Sequence, residues 1–449
     1  MFKRILIANR GEIALRVIRA CREMGIESVA VYSEADADSP HLEQADQTVC
    51  IGGSKSEQSY LNMTAILQAA EQTEAKAIHP GYGFLAENAL FADLCHQLKL
   101  TFIGPSPHVI RMMGDKATAR RTMVAAGVPV VPGSEGVIAK VEEARARARE
   151  IGFPVLLKAT AGGGGKGMRI CRDEGSFEAA FRDASLEALK AFGNPGLYLE
   201  KYIEGGRHIE FQFMADAFGN AVHMGERECS VQRNHQKLVE ESPSPVVDAA
   251  LREKMGAIVA RAVTAIGYVG AGTMEFLRDA AGNLYFMEVN TRLQVEHPVT
   301  EMVTGLDLVQ EQIRVAANCT LSWRQDEIAL NGHAIECRVN AEDPYAGFKP
   351  SPGTVSVFEP PEAAEGVTVR VDTHVRPGYR IPPFYDSMIC KLIVHGADRE
   401  AARRGMLDAL SRFRVEGIKT TIGVHEQILA EEAFASGEYD TGFIGRLLG

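Results

Sequence analysis

Five polar residues fall at every second position of the stretch Phe286-Met-Glu-Val-Asn-Thr-Arg-Leu-Gln-Val-Glu-His-Pro298: Glu288, Asn290, Arg292, Gln294 and Glu296. Between them lie Met287, Val289, Leu293 and Val295, with Thr291 the one polar exception. Successive side chains of a strand point to opposite faces, so an extended start lines one wall with two metal-capable groups and a guanidinium. At ~3.3 Å per residue, Glu288 and Glu296 would lie about 26 Å apart on a straight strand, too far for one small site. The extended part is therefore expected to end near Arg292, with the chain curling back. Alternation alone also describes a half-exposed strand with a solvated polar face, so the neighbouring segments must decide.

Gly272-Thr-Met-Glu-Phe-Leu277 reads as a strand bearing Glu275, and an Ala-Gly-Asn turn at 281–283 returns the chain into Tyr285–Glu288. Glu275 and Glu288 then sit on adjacent antiparallel strands, within reach of each other. Two carboxylates side by side repel unless a cation lies between them. With Asn290 two residues on, these hard oxygen donors suit Mg²⁺ or Mn²⁺ bound together with substrate phosphates.

Phe153-Pro-Val-Leu-Leu-Lys158 is an apolar strand ending in a lysine, and it runs into Ala161-Gly-Gly-Gly-Gly-Lys-Gly167. Gly162, Gly164 and Gly167 match the G-x-G-x-x-G pattern, but this loop joins two strands instead of opening a helix, so no dinucleotide site follows. Thr160 stands where a Walker loop needs its first glycine, and neither Ser nor Thr follows the lysine. What remains is a glycine hairpin rich in accessible N–H groups, suited to closing over phosphates. Leu197-Tyr-Leu-Glu-Lys-Tyr-Ile203 is a strand whose backbone could pair with an adenine edge. His208 opens the alternating strand that follows it. Glu226 to Lys237, dense in hydrogen-bonding groups, reads as a polar loop, without the paired His spacing of a zinc site.

The elements that must carry these groups are legible in outline. In residues 1–113, Ile5–Ala8, Ser28–Tyr32, Ala75–His79 and Thr101–Gly104 alternate with helical patterns, the first of them from about Ile13 to Met24. That series predicts a parallel, doubly wound sheet. Ligands in such sheets sit beyond strand carboxyl ends, where His79-Pro-Gly-Tyr-Gly-Phe-Leu-Ala-Glu-Asn88 falls. Arg16 and Arg19 share a face of the first helix and read as solvated. A second unit starts near Gly114-Asp-Lys116. A third, mixed α+β, starts near Asn331, with Glu336, Arg338 and Asn340 on one strand face and an amphipathic helix over 399–413.

Composition narrows the function. The 449 residues exceed one core, and the net charge of -11 argues against nucleic acid or an anionic membrane as partner while leaving a small anionic substrate open. No apolar run approaches spanning length, and Met1–Arg10 has only four apolar residues between charges, too short for the h-region of a signal segment. Eight scattered cysteines without a Cys-x-x-Cys pair fit reduced thiols in the cytoplasm.

Taken together, the motifs resemble those of the biotin carboxylase family of ATP-grasp enzymes over essentially the whole chain. The resemblance is carried by Ile7–Ala14, His79–Asn88, Met113–Lys116, the 162–167 glycines, Cys229-Ser-Val-Gln-Arg-Asn-His-Gln-Lys237 and Glu288–Pro298. It implies an α/β and α+β multidomain chain: a Rossmann-like N-terminal domain (1–113), an ATP-grasp domain (114–330) with a mobile lid over about 131–204, and a mixed C-terminal domain (331–449). It implies that Lys116, Lys158, Glu200, Lys201, Tyr202 and Ile203 hold ATP, with His208 and His235 near the nucleotide and Gly164 and Gly165 over its phosphates. Glu275, Glu288 and Asn290 would carry two divalent ions. Lys237, Arg292, the Val295 backbone and Glu296 would surround bicarbonate. Arg338, Tyr82 and Gly83 would meet the ureido ring of biotin.

The resemblance further implies that Glu296 deprotonates bicarbonate for attack on ATP, giving carboxyphosphate. Cys229 is the rival for that proton, ranked lower because a thiol of ordinary pKa near 8.5 is mostly protonated at neutral pH. No Met-Lys dipeptide occurs, so the biotin-bearing Ala-Met-Lys-Met segment of multidomain carboxylases is missing. The expected partners are therefore a separate biotin carboxyl carrier protein and carboxyltransferase subunits, acetyl-CoA carboxylase being the expected assembly. A pyruvate or propionyl-CoA carboxylase is the alternative within the family. Another ATP-grasp ligase, or a silent ATP-binding regulator, is the alternative outside it. A homodimer through the first helix, with Arg16 and Arg19, is also implied.

Overall fold

The computed structural model describes residues 1–134, 136–159, 168–192, 195–362 and 366–448. The N-terminal strands are β1 (Arg4–Ile7), β2 (Glu27–Tyr32), β3 (Gln47–Cys50), β4 (Ala77–His79) and β5 (Thr101–Phe102), with helix α1 (Gly11–Glu23) between the first two. They form a parallel sheet in the order β3-β2-β1-β4-β5. Strand β1 shows why both faces are covered. Ile5 and Ile7 pack with Ile13, Val17 and Ile18 of α1 on one side. Leu6 and Ala8 pack with Ile66, Phe91 and Cys95 on the other. A parallel strand buried on both faces reads as a continuous apolar run, as β1 does. Strand β3 has no such signature in the sequence: it is short, at the sheet edge, and mixes polar with apolar residues.

The chain divides into two compact units, one of them formed by Pro129–Gly206 with Leu277–Phe286. Its sheet is antiparallel: β6 (Val155–Ala159) lies between β7 (Met168–Cys171) and β8 (Leu197–Lys201). Val155, Leu157, Leu197 and Leu199 pack against Phe177 and Phe181 of the helix Glu174–Phe192. That leaves Lys158 and Glu200 on the opposite face. Gly164, Gly165 and the rest of the 160–167 loop lie outside the described residues.

The other unit (Met1–Val128, Arg207–Phe276, Met287–Gly449) carries most of an eight-stranded sheet. Its strands are β9 (Arg207–Ala215), β10 (Ala221–Arg233), β11 (Gln236–Ser242), β12 (Gly270–Arg278), β13 (Leu284–Asn290) and β14 (His333–Asn340). After the short strands β15 (Glu342–Asp343), β16 (Lys349–Pro350) and β17 (Val357–Glu359), the sheet ends with β18 (Val367–Thr373) and β19 (Met388–Gly396). The order is β13-β12-β9-β10-β11-β14-β19-β18, so strands on both sides of Asn331 share one sheet.

Strand β9 is buried along its whole length and alternates Ile209, Phe211 and Phe213 with His208, Glu210 and Gln212. On β14, Ile335, Cys337 and Val339 join the core under the helix Arg399–Arg412, leaving Glu336, Arg338 and Asn340 together on the other face. One face of the sheet is thus a polar surface within the protein. Buried polar groups must be partnered or costly, so this face is where chemistry is to be sought.

Two expectations are corrected. The segment Glu226–Lys237 is not a polar loop but parts of two strands, joined by a turn in which Asn234 (φ 49°) and His235 (φ 66°) are left-handed. That is the two-residue turn whose twist matches an antiparallel hairpin. Glu226, Arg227, Glu228, Ser230 and Lys237 find their partners within the protein, which alternation through bulged pairs conceals. Arg16 is not solvated either. It is buried, 2.8 Å from Asp307 and 2.9 Å from Glu301, whereas Arg19 is exposed.

Candidate active site

The stretch Phe286–Pro298 leaves its strand at Asn290, two residues before the predicted end, and enters the helix His297–Thr304. Its bend is visible at one atom. Asn290 Nδ2 and Gln294 Nε2 both donate to Glu275 Oε1, at 2.8 and 3.1 Å. On a straight strand those two residues would be about 13 Å apart. The motif at His79–Asn88 holds the bend from outside: Glu87 accepts from the Thr291 amide (2.9 Å) and from Arg292 Nε (2.9 Å).

At the centre is Lys237 on β11. Its ammonium donates to Glu296 Oε1 (2.5 Å), Glu210 Oε2 (2.7 Å) and Glu275 Oε1 (3.2 Å). Glu296 receives a second cation through Arg338 Nη2 (2.8 Å), whose Nε donates to Glu240 (2.6 Å). Glu210 receives its own through Arg227 Nε (2.5 Å). Arg227 is wholly buried, and its remaining donors meet Gln212, Thr300 and Thr273. His208 Nε2 lies 3.0 Å from Glu275 Oε2.

These contacts set the charge states. Burial raises the pKa of Glu296, but Lys237, Arg338 and Arg227 outweigh it and hold the carboxyl well below the ordinary range. Glu275 is lowered against the same burial by Lys237 and His208. Cys229 goes the other way: burial, with the Glu210 charge beside it, pushes the thiol well above its ordinary value. Glu296 is therefore the ionised group and Cys229 the protonated one. Glu288 is exposed at the strand surface, yet partial desolvation by its neighbours and the charge of Glu275 raise it, the repulsion that a cation between them would relieve. With Asn290 bonded to Glu275, these oxygen donors fit a hard divalent ion.

Of the other predicted residues, Lys116 is exposed at the first position of the helix Lys116–Ala125, and His235 is exposed in its turn. Tyr82 and Gly83 sit in a turn pinned by Asn9, which donates to the Pro80 and Tyr82 carbonyls at 2.7 Å each. The turn needs glycine: Gly81 has φ +62°, and a Cβ there would come within 2.9 Å of the Asn9 amide. The Val295 carbonyl accepts from Lys391. In the smaller unit, Lys158 donates to Glu200, while Lys201 Nζ is taken up by the carbonyls of Gly152 and Phe153 at 2.9 Å each. The amides of Lys201 and Tyr202 meet the carbonyls of Pro132 and Pro154.

Sequence reasoning misses Glu210, Arg227, Glu240 and Glu87. Glu210 carries a signal, since it shares the face of His208 on an alternating strand. Glu87 lies within a motif singled out above, but only the tertiary fold shows which residue it meets.

The chain is similar to known proteins along its length. Residues 1–110 match the family model "Biotin carboxylase, N-terminal domain", and residues 336–446 the "Biotin carboxylase C-terminal domain". Residues 115–324 match "Carbamoyl-phosphate synthase L chain, ATP binding domain". Biotin carboxylase 1 of Bacillus subtilis is 56% identical over 445 residues, covering 99% of this chain and 98% of the relative. A pyruvate carboxylase subunit from Methanothermobacter thermautotrophicus is 52% identical, covering 99% and 90%. The biotin carboxylase domain dimer of Hydrogenobacter thermophilus 2-oxoglutarate carboxylase, solved with MgADP, ADP and bicarbonate, superposes with a TM-score of 0.89 at 50% identity, covering 100% and 99%. The chain belongs to the biotin carboxylase family of ATP-grasp ligases.

Proposed function

We propose that this chain carboxylates biotin on a separate carrier protein, using ATP and bicarbonate, as the first half-reaction of acetyl-CoA carboxylase. The observation that carries the reading is Glu296, a buried carboxylate kept ionised between Lys237 and Arg338. Bicarbonate entering beside Lys237 and Arg292 would share those cations, returning the Glu296 pKa towards its ordinary value and making it a better base. The deprotonated oxygen attacks the γ-phosphorus of ATP, the phosphorus–oxygen bond to ADP breaks, and carboxyphosphate results. Decomposition gives CO₂ and phosphate. The phosphate removes the ureido N1′ proton, and Arg338 stabilises the enolate that attacks CO₂.

Lys116, Lys158, Glu200 and the 201–203 backbone are the proposed nucleotide contacts, with His208, His235, Gly164 and Gly165. The Lys201 and Tyr202 amides are occupied by the Pro132 and Pro154 carbonyls, so the Ile203 amide is the proposed donor to a base edge. Glu275, Glu288 and Asn290 would hold Mg²⁺ or Mn²⁺, which supplies charge to the transferring phosphoryl oxygens. Tyr82 and Gly83 would face biotin. The three-part division at about 113 and 330 is retained, as are a cytoplasmic setting and self-association.

The test is ADP release from the purified protein with Mg²⁺, bicarbonate and free biotin, where a biotin-dependent increase is expected. A rate indifferent to biotin refutes the reading. Carrier and carboxyltransferase subunits supplied with acetyl-CoA or with pyruvate then separate the two assemblies, and the similarity to a pyruvate carboxylase subunit keeps the second in view.

A further inference from the structure

One fully buried cation lies outside the groups given roles above. Lys391 is on β19, opposite Arg338 on β14 and Asp372 on β18, and no part of its side chain reaches solvent. Its ammonium donates to the Val295 carbonyl at 3.1 Å. It also lies 3.2 Å from Glu12 Oε1 on α1, 3.9 Å from Asp372 Oδ2, and 5.9 Å from the centre of the Tyr82 ring. The Tyr82 hydroxyl donates to the same oxygen of Glu12.

Val295 immediately precedes the carboxylate proposed as base, and Tyr82 belongs to the turn proposed to face biotin. One ammonium therefore ties the two segments together, directly at Val295 and through Glu12 at Tyr82. Stability alone is a weak reason to keep a charged pair in a protein interior, since apolar residues of similar volume serve as well or better. A fixed separation is a better reason. CO₂ released beside Glu296 must meet the ureido nitrogen, and misplacement of reacting groups by about 1 Å can cost roughly 100-fold in rate.

We propose that Lys391 and Glu12 form a positioning pair that sets the Val295–Glu296 loop at a fixed distance from the Tyr82–Gly83 turn, coupling ATP cleavage to biotin carboxylation. This rests on the function proposed above. The experiment compares wild type, Lys391→Met and Glu12→Gln for ADP released and carboxybiotin formed, at saturating ATP, Mg²⁺ and bicarbonate with free biotin.

In both variants carboxybiotin formation is expected to fall about tenfold or more, with the KM for ATP within roughly twofold of wild type. ADP released per carboxybiotin should rise about fivefold, because CO₂ escapes before capture. A purely structural role would lower both products together and leave that ratio unchanged, and an unchanged ratio in the folded variants overturns the proposal. If Lys391→Met does not fold, Glu12→Gln, which keeps the side-chain shape, decides alone. Absence of biotin-dependent turnover in wild type would instead refute the function itself.

Discussion

Arg338 reaches Glu296 across 42 residues of chain, its Nη2 donating to Oε2 at 2.8 Å while Lys237 holds Oε1. The two ends of one carboxylate are thus assigned to two different cations. Lys237 also serves Glu210 and Glu275, whereas Arg338 turns its Nε to Glu240. A carboxylate shared in this way, if it serves as the proposed base, can exchange one partner for substrate while the other still fixes its orientation.

Arg338→Ala is the substitution that should separate the two partial reactions. Lys237 remains to hold Glu296, so bicarbonate-dependent ATP hydrolysis should persist within about tenfold of wild type. Biotin carboxylation should fall by roughly 10²–10³, the loss seen when a donor to a developing oxyanion is removed. Parallel loss of both rates, in a variant with a native unfolding transition, would contradict the assignment of Arg338 to biotin.

Glu240 predicts a pH dependence of stability. Burial raises it, the Arg338 guanidinium offsets only part of that, and its pKa stands at about 7 against an ordinary 4.5. The native state binds this proton more tightly than the unfolded chain does. The resulting stability is fully present below about pH 4.5 and is lost as pH rises through about 7, amounting to about 3 kcal/mol at 1.36 kcal/mol per pKa unit. The amide of Glu240→Gln cannot ionise. Urea unfolding at pH 5 and pH 8 should show this variant gaining on wild type by up to about 3 kcal/mol between the two. A difference between variant and wild type that does not change with pH refutes the account.

Glu288→Gln tests the proposed metal wall. Glu288 is exposed and is raised by partial desolvation and by the Glu275 charge, so its neutral amide should be well tolerated by the fold, with stability within about 1 kcal/mol of wild type. Both ATP cleavage and carboxylation should nevertheless drop below detection, with ATP still bound weakly, because a carboxamide is a poor substitute for an anionic ligand of Mg²⁺. Mg²⁺ titration of ATP binding is the measurement. Near-normal turnover would remove Glu288 from the metal site.

What is legible in the sequence follows from how local each signal is. Alternation places Glu336, Arg338 and Asn340 on one face, and distance along a strand requires the bend between Glu288 and Glu296. The Asn290 and Gln294 amides meeting on Glu275 bear that out. The Glu226–Lys237 segment misleads because a strand buried on both faces in a polar network has the composition of a loop. Only its partners, such as Glu210, Thr273 and Ser244, distinguish the two. Lys391 gives no local sign at all. Its three polar neighbours come from α1, β18 and the Arg292–Glu296 bend, and nothing short of the tertiary fold brings them together.

Arg16 and Arg19 share a helix face in sequence, yet the structure gives them opposite circumstances. Arg16 is buried between Glu301 and Asp307, and Glu301 also receives Arg370. Removing one partner of a buried ion pair strands the others, so Arg16→Ala should cost about 3–5 kcal/mol of stability. Arg19 is exposed, and Arg19→Ala should change stability by less than about 0.5 kcal/mol. If the first helix mediates self-association, Arg19→Ala should nonetheless shift the monomer–dimer balance in sedimentation velocity. The exposed guanidinium is free to meet a second copy, and the buried one is already committed within its own chain. A stability loss at Arg19 equal to that at Arg16 would contradict the burial difference, and unchanged sedimentation of Arg19→Ala would move the contact away from this residue.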